Sequence, residues 1–521
     1  MTENTSAKDT GDLTGRARLV SNVVTSWIAQ LLMIITGFFL PRVIDTQLGQ
    51  VSLGLWDFAW SIVSYVNLAQ LGIGSALNRY VAKYRSEDDE AALDRAISTT
   101  MAMQWLIAIF VTGAVFVVAY LIPTLFGERL EGESETAQGV FLFLGLSVTV
   151  LLVADTSRGV LTGCHRWDLF NAINSAMQIL GTVSMIVVML CGGDLVQVSL
   201  AYLLVIIMQA SARAVAARRV CGNFRFKRSA LSIEFAKEIF GYGIRSIAIN
   251  IPGLIMMQGA YIAVVSALGP AALAILARPF ALLHYIESFI TRFTFVLTPM
   301  AESVLNLEGE AELKKFAIAS STYGFAFAIP AITVLGVFGN LIVELWMGPD
   351  YVNQTVIWII AGMGLLTSFH GSILRIMIGL DLHGVAARNS LLFTFSFLIT
   401  GLAIGNYLNW FSLEFFAALI ATNAILVNGL YIPIYACRKL GLSPGEFLGA
   451  IFSAPIVQTL LLSIGLLAIT LSYQPSAFEA LVFVCIYGAV VLLVYFVNLL
   501  PPSIRQEAMQ RIGLSSQTSG D

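Results

Sequence analysis

The sequence predicts an all-α membrane protein with about fourteen transmembrane helices, and three properties of the chain support this fold class. Of its 521 residues, 57% are hydrophobic and only 12% are charged, whereas soluble proteins carry roughly a quarter charged residues. The mean hydropathy is +0.82. The apolar residues form runs of about 20 residues, which is the length of a helix that crosses a bilayer. These properties exclude a soluble enzyme, a secreted disulfide scaffold and a disordered protein.

Fourteen apolar runs between charged breaks define the predicted spans. The first six are expected at residues 19–40, 51–76, 98–122, 138–156, 169–190 and 196–216. The other eight are expected at residues 239–266, 271–297, 316–342, 354–378, 389–409, 413–436, 448–472 and 477–500. The first run is too long for a signal-peptide core and lacks a cleavage site, so we expect a permanent first span.

Lysine and arginine are distributed unevenly between the two sides of this topology. Of the 29 basic residues, 23 fall on the side of the chain termini, and only Arg42 and Arg129 fall on the opposite side. Basic loops stay in the cytoplasm during membrane insertion. The sequence therefore predicts cytoplasmic termini, with polar tails at 1–18 and 501–521 and a basic cytoplasmic linker at 217–238.

An internal repeat divides the first twelve spans into two lobes. At an offset of 220 residues, Leu48-Gly49 aligns with Leu268-Gly269, and Glu90-Ala91 aligns with Glu310-Ala311. Six spans separate equivalent positions, so the lobes should share one topology and be related by a pseudo-twofold axis along the membrane normal. The expected organisation is an N-lobe at 19–216, a C-lobe at 239–436 and two appended spans at 448–500. Two such lobes suit a transporter whose site opens to alternate sides.

The eighth predicted span carries the strongest candidate site residues. His284 and Glu287 fall on one helical face, with Arg278 and Arg292 on the adjoining sector. Glu287 lies about 15 Å from the nearer end of the span, too deep for its carboxylate to reach the membrane surface. Because a charge in lipid is costly, we predict Glu287 and His284 as the ion-coupling site. A packing role for Glu287, and positions at the membrane surface for Arg278 and Arg292, remain open.

Three other spans carry candidate substrate-binding residues. The second span places Asp57, Ser61, Ser64 and Asn67 on one face, and the first span adds Asn22 and Ser26. The seventh span contains Arg245 between helix-breaking residues, Gly241 and Gly243 before it and Pro252-Gly253 after it. Interrupted spans often mark a transporter's binding region, and arginine can grip a phosphate with two hydrogen bonds. Helix packing is the alternative for the small and hydroxyl residues, and snorkelling is the alternative for Arg245.

The sequence predicts neither catalytic chemistry nor a metal site. It contains no phosphate-binding G-x-x-x-x-G-K-[ST] motif. The four histidines lack metal-ligand spacing, and the five cysteines form no C-x-x-C pair. No nucleic-acid partner is expected, because membrane topology already explains the basic loops.

Five short stretches carry a family resemblance. The first three are Leu40-Pro-Arg-Val-Ile44, Leu53-Gly-Leu-Trp56 and Leu68-Ala-Gln-Leu-Gly-Ile-Gly-Ser-Ala-Leu-Asn-Arg-Tyr-Val-Ala82. The others are Arg158-Gly-Val-Leu-Thr-Gly163 and Leu345-Trp-Met-Gly348. As a set they resemble the bacterial polysaccharide flippases (O-antigen and exopolysaccharide exporters) of the multidrug/oligosaccharidyl-lipid/polysaccharide exporter superfamily. None of the motifs is catalytic; they are packing and turn signatures.

This resemblance implies export of an undecaprenyl-pyrophosphate-linked oligosaccharide across the bacterial inner membrane for lipopolysaccharide or exopolysaccharide biosynthesis. The expected partners are this lipid-linked oligosaccharide, membrane lipids, and polymerase or chain-length proteins of the pathway. No cofactor is expected beyond a coupling cation, H⁺ or Na⁺, whose site the resemblance does not place. The first span lacks the acidic residue that drug antiporters of the superfamily often keep. An ion-coupled multidrug antiporter and a non-transporting scaffold of a polysaccharide-assembly complex are the alternatives.

Overall fold

The computed structural model describes residues 19–70, 73–222, 224–294, 296–473, 475–500, 502 and 505–506. The first ten helices are α1 Leu19–Leu48, α2 Gln50–Val66, α3 Ile73–Ser86, α4 Glu90–Phe126, α5 Ser134–Gly163, α6 Trp167–Leu190, α7 Leu195–Val220, α8 Ile233–Ala248, α9 Ile251–Leu268 and α10 Pro270–Thr294. The other ten are α11 Leu297–Glu308, α12 Glu310–Met347, α13 Gln354–Thr367, α14 His370–Gly379, α15 Gly384–Leu408, α16 Leu413–Ala424, α17 Ile432–Leu440, α18 Pro444–Ile451, α19 Ala454–Ser472 and α20 Ala477–Val494. No strand occurs in these parts of the chain, so the all-α fold class is confirmed.

Twelve helical segments in the described residues are long and apolar enough to cross a membrane, and the bent pair α13–α14 would make a thirteenth. The chain is therefore a multi-pass membrane protein. The remaining predicted span, at 51–76, does not match any of these thirteen candidates in the described residues. Its predicted end at residue 76 is wrong. There α2 ends at Val66, and a single 3₁₀ turn follows at Asn67–Gln70. With 17 residues, α2 is slightly shorter than the roughly 20 residues that a spanning helix needs.

The seventh predicted span is broken, as its helix-breaking residues predict. Its first part, α8, ends at Ala248, and α9 starts at Ile251. Pro252 stands in the first turn of α9. Proline has no backbone N–H, and the first turn of a helix leaves its N–H groups without a helical partner. Proline is therefore tolerated at the start of this second segment.

The internal repeat is present in the helix boundaries. Gly49 and Gly269 have φ angles of +87° and +89°, in the left-handed region that glycine adopts without strain. The helices that follow begin at Gln50 and Pro270, which are separated by the same offset. The helices α4 and α12 likewise begin at the equivalent residues Glu90 and Glu310. The offset found in the sequence is therefore also the offset between structural elements.

Equivalent glycines permit equivalent helix contacts in the two repeats. On α5, a Cβ atom at Gly163 would lie 2.8 Å from the carbonyl oxygen of Asn78 on α3. On α14, a Cβ atom at Gly379 would lie 2.2 Å from the carbonyl oxygen of Thr298 on α11. Asn78 and Thr298 are related by the repeat offset. Both contacts need a residue without a side chain, because a β-carbon would overlap the neighbouring backbone.

The helices form two compact units. The first contains the chain up to Ala274 together with Leu398–Asn406. Its core lies where α3, α4, α5, α7 and α8 meet. Fully buried aliphatic side chains from these five helices fill it, among them Leu77, Ile97, Leu161, Ala217 and Ile239.

The second unit contains residues Ile275–Phe397 and the chain from Tyr407 onwards. Its largest core is built by α11, α12, α14, α17 and α18, around the buried side chains of Phe325, Ile373 and Phe447. A smaller core joins α19 and α20 to α12 through Phe338, Leu466 and Tyr487. The two helices beyond the twelve-span repeat are thus packed on the second unit.

Candidate functional site

The predicted polar face of α10 is exposed along its length. His284, Glu287 and Thr291 are all exposed, whereas Leu283 is buried. Leu283 packs so closely on α13 that a Cβ atom at Gly364 would lie 2.7 Å from its Cδ1 atom. The Thr291 hydroxyl donates a hydrogen bond of 2.8 Å to the backbone carbonyl of Glu287. The Glu287 side chain is therefore exposed on the surface of α10.

Arg278 lies on a different side of α10 and is buried. Its side chain is only 3% exposed, and its guanidinium carbon lies 5.9 Å from the centre of the Trp346 ring on α12. Trp346 belongs to the Leu345-Trp-Met-Gly348 motif, and it is itself buried. A cation over an indole face is stabilised by the ring's negative potential. The structure thus places this positive charge inside the second unit.

Asn22 and Ser26 lie at the contact between α1 and α6. The Asn22 side-chain oxygen accepts a hydrogen bond of 2.9 Å from the backbone N–H of Asp168. Its amide nitrogen donates to the carbonyl of His165 at 3.3 Å. Ser26 accepts a hydrogen bond of 2.8 Å from Asn171 Nδ2. These bonds hold α1 against the start of α6, which is the packing alternative left open for these two residues.

The polar residues of α2 are shielded to different degrees. Asp57 and Ser64 are half-buried, whereas Ser61 is buried and donates to the Phe58 carbonyl at 2.6 Å. The side chain of Asn67 lies outside the described residues. Helix α2 packs against α9, where Tyr65 donates to the Ile255 carbonyl at 3.4 Å.

The side chains of Arg245 and Arg292 also lie outside the described residues, although their backbones belong to α8 and α10. The first turns of α8 are anchored to α3, because the Tyr80 hydroxyl donates to the Glu238 carboxylate at 2.6 Å. The pKa of Tyr80 is raised to about 12, mainly by burial and secondly by this hydrogen bond. The helix that carries Arg245 is therefore fixed at its start to the first unit.

An ion pair on α5, with a buried acid and a partly exposed base, was not predicted from the sequence. Asp155 is 6% exposed, and its carboxylate lies 2.5 Å from Arg158 Nε. The Gln104 amide of α4 donates to the second carboxylate oxygen at 3.5 Å, and its oxygen accepts from the Thr156 N–H at 2.9 Å. An acid and a base three residues apart near the end of a predicted span was the signal that could have indicated this pair.

The carboxylate of Asp155 also touches the backbone of α3. A Cβ atom at Gly74 would lie 2.0 Å from its Oδ2 atom. Gly159 of the Arg158-Gly-Val-Leu-Thr-Gly163 motif makes a similar approach, since a Cβ atom there would lie 2.8 Å from the Gly74 carbonyl. In this motif, the arginine supplies a counter-charge and the glycines permit close helix packing. Together, Gly74, Gln104, Asp155 and Arg158 form a charged junction, named here the α3–α4–α5 junction.

An apolar groove of about 830 Å³ runs between α19 and α20, and we call it the C-terminal groove. Its lining is Gln458, Leu461, Leu462, Gly465, Leu466, Ile469, Phe483, Ile486, Tyr487, Val490 and Val494. Hydroxyl groups fix the two helices beside it: Ser463 lies 2.7 Å from the Tyr487 hydroxyl and accepts a 2.9 Å hydrogen bond from Thr333 on α12. These contacts join α19 to α20 and to α12 beside the groove.

Comparison with known proteins supports a transporter fold. A family model described as MatE matches residues 23–187, from α1 to α6. A comparison with curated proteins gives no match.

Several solved structures share the architecture. The lipid II flippase MurJ, in an inward closed conformation, gives a TM-score of 0.68 at 13% identity and covers 92% of this chain and 98% of its own. A multidrug resistance MATE family transporter of the MOP superfamily, in its inward-facing conformation, gives a TM-score of 0.63 at 14% identity. The match covers 81% of this chain and 98% of the transporter chain. A structure of the outward-facing conformation of a multidrug resistance MATE family transporter of the MOP superfamily gives a TM-score of 0.58 at 15% identity and covers 81% of this chain and 95% of its own. The chain thus has the all-helical fold of the MATE and MurJ transporters.

Proposed function

We propose that this protein is a flippase of the bacterial inner membrane that moves a polyprenyl-pyrophosphate-linked oligosaccharide to the outer leaflet. It would act by alternating access in the biosynthesis of a surface polysaccharide, O-antigen lipopolysaccharide or exopolysaccharide. The observation that carries the proposal is the C-terminal groove of about 830 Å³ between the two helices that follow the twelve-span repeat. A long isoprenoid chain needs such an apolar surface beside a transport pathway, whereas a water-soluble drug does not.

The charges of the membrane helices favour an anionic cargo. Arg278 is buried in α10, and Arg245 and Arg292 occupy α8 and α10. The first helix contains no ionisable residue from Leu19 to Pro41, so it offers no carboxylate for a cationic drug. Guanidinium groups bind phosphate oxygens through paired, charge-assisted hydrogen bonds. We assign Arg245 and Arg292 to the pyrophosphate, and Asp57, Ser64 and Asn67 to the sugar. Arg278 and Ser61 are left out of this assignment, because Arg278 is buried against Trp346 and the Ser61 hydroxyl is bonded to the Phe58 carbonyl.

The side from which the cargo would enter follows from the proposed orientation. The excess of basic residues on the side of the termini puts both termini in the cytoplasm. Lipid-linked cargo would then enter from the side of the 217–238 linker. Glu287, with His284 one turn before it, is the proposed coupling site for H⁺ or Na⁺. A coupling ion drives the cycle only if it binds the inward and outward states with different affinities.

Deletion of the gene in its host tests the cargo. We expect the surface polymer to disappear and the lipid-linked oligosaccharide to accumulate on the cytoplasmic leaflet. Intact surface polysaccharide together with new sensitivity to cationic drugs would instead support the multidrug antiporter. In the complemented strain, Glu287→Gln should abolish polymer export at normal protein level, and full export would remove Glu287 from the mechanism.

The groove supplies a sharper test with a matched control. Gly465 lines the C-terminal groove, whereas Gly488 lies on α20 outside its lining. At both glycines, nothing lies within 4 Å of the position that a β-carbon would take. Gly465→Phe should therefore reduce export at least tenfold, and Gly488→Phe should leave it within twofold. Equal activity of both variants would contradict a prenyl-binding role. A scaffold would tolerate both substitutions and all substitutions of the charged residues.

A further inference from the structure

A second groove lies within the first unit, between α4, α5 and α7. It has a volume of about 760 Å³, and we call it the α4–α5–α7 groove. Its lining includes Trp105, Ile109, Val153, Leu203 and Ile207. Trp105 and Ile109 are 56% and 65% exposed, so the groove opens away from the protein. It shares no residue with the C-terminal groove.

Four of the five hydroxyl groups that line this groove, those other than Thr112, are hydrogen-bonded within the protein. Thr149 donates to the Gly145 carbonyl at 3.0 Å, Ser157 to the Ala154 carbonyl at 2.5 Å and Ser211 to the Ile207 carbonyl at 2.8 Å. Groups that bond to their own helix backbone offer little to a polar ligand. The wall of the groove therefore suits a hydrocarbon chain.

One end of the groove is positively charged. Arg218 is the single charged residue among the described residues that line it, and it is exposed. Within that same set of lining residues there is no carboxylate. Arg219 and Arg225 are exposed nearby in the chain, where α7 runs into the basic linker. An apolar wall that ends at a guanidinium group matches the chemistry of an anionic lipid, whose phosphate lies at the membrane surface.

The length of the groove matches one leaflet. From Leu203 to Arg218, α7 rises about 22 Å, and half of a bilayer with its headgroups is roughly 20–22 Å thick. Arg218 lies in the last turn of α7, on the side of the basic linker. A lipid whose headgroup contacts Arg218 would thus place its acyl chain along α7 toward the centre of the bilayer.

We propose that the α4–α5–α7 groove binds an anionic phospholipid of the leaflet that faces the basic linker, with its phosphate on Arg218 and an acyl chain against Trp105 and Ile109. This site is separate from the proposed cargo pathway. The bound lipid would cover an apolar surface of the first unit and hold α4, α5 and α7 together. Its loss would lower stability whether or not the protein is a flippase.

Binding of dioleoylphosphatidylglycerol to the delipidated full-length protein tests the proposal. Native mass spectrometry should detect one phosphatidylglycerol bound more tightly than phosphatidylcholine. Removing one basic residue near a membrane surface weakens lipid binding by about fivefold. Arg218→Gln should show this loss, whereas Arg219→Gln, which changes a neighbouring arginine outside the lining, should stay within twofold. Equal losses in the two variants, or equal binding of the two lipids, would overturn the proposal.

A second pair of variants separates the groove from the surface charge. Ala210 lines the groove, whereas Ala212 lies on the same helix outside the lining. Ala210→Phe should displace the acyl chain and abolish the lipid adduct, and Ala212→Phe should retain it. If Ala210→Phe fails to fold, Trp105 provides the readout in a folded protein. Phosphatidylglycerol with brominated acyl chains should quench tryptophan fluorescence less in Trp105→Phe than in the wild type, and equal quenching would contradict the site.

Discussion

The carboxylate of Asp155 lies 2.5 Å from Nε of Arg158, one turn further along α5. Asp155 is buried, while about a third of the Arg158 side chain is exposed. The pair therefore sits at the edge of the α3–α4–α5 junction, with the acid inside and the base toward the surface. A buried acid depends on the cation beside it, because an unpaired buried charge is costly.

Removal of the arginine should destabilise the first unit. We expect Arg158→Ala to lower the free energy of unfolding by about 2–3 kcal/mol, since Asp155 then remains buried without this counter-charge. Thermal unfolding in detergent measures the loss. The double variant Asp155→Asn with Arg158→Met should recover most of it, because neither charge remains. If the double variant is as unstable as Arg158→Ala, the unpaired charge of Asp155 is not the cause of the lost stability.

The glycine contacts of the two repeats should be equally sensitive to an added methyl group. Gly163→Ala and Gly379→Ala would each force a β-carbon into a neighbouring backbone carbonyl, so each should cost about 1–3 kcal/mol. Gly362→Ala on α13 is the control, because nothing lies within 4 Å of its β-carbon position. That variant should be neutral or slightly stabilising. Unfolding measurements that rank all three variants alike would disprove the role of close packing.

The α1–α6 hydrogen bonds predict a stability effect separable from transport. Asn22→Ala removes two interhelical bonds, to Asp168 N–H and to the His165 carbonyl. At about 1 kcal/mol for each bond, it should lower stability by about 2 kcal/mol. The transport rate of the remaining folded protein should not change. A tenfold loss of transport in Asn22→Ala at normal stability would instead return Asn22 to the substrate-binding residues.

Arg245 should reveal whether the cargo contacts α8. If its guanidinium binds a phosphate, Arg245→Lys keeps the charge and loses the bidentate geometry. We therefore expect export to fall several-fold in Arg245→Lys and at least a hundredfold in Arg245→Ala, at equal protein levels. Arg219→Gln, on the surface of α7, is the control. Equal export by the lysine and alanine variants would assign Arg245 a structural role.

The sequence predicted the features that depend on short motifs, repeat spacing and helical periodicity. Leu48-Gly49 and Leu268-Gly269 were matched by aligning the chain with itself at an offset of 220 residues, and the structure has a left-handed glycine at each of these positions. The shared exposure of His284, Glu287 and Thr291 follows from helical periodicity, because these three residues lie within about 60° of one another around the helix.

The features that were missed depend on contacts between distant segments. Gln104 approaches Asp155 across 51 residues of chain, and no pattern within either helix indicates that contact. The polar stripe of Asn22 and Ser26 identified a face of α1 without identifying the helix that covers it. Likewise, the two grooves depend on which helices are adjacent, so their existence could not be predicted from any one span.

Reconstitution of the purified protein in liposomes tests the central claim most directly. The substrate is a polyprenyl-pyrophosphate oligosaccharide placed in both leaflets, and a membrane-impermeant glycosidase added outside measures how much becomes accessible. We predict that an ion gradient accelerates access to the inner-leaflet pool with the wild type and not with Gly465→Phe. Uptake of cationic drugs by the same vesicles, with the lipid-linked oligosaccharide left in its original leaflet, would contradict the account.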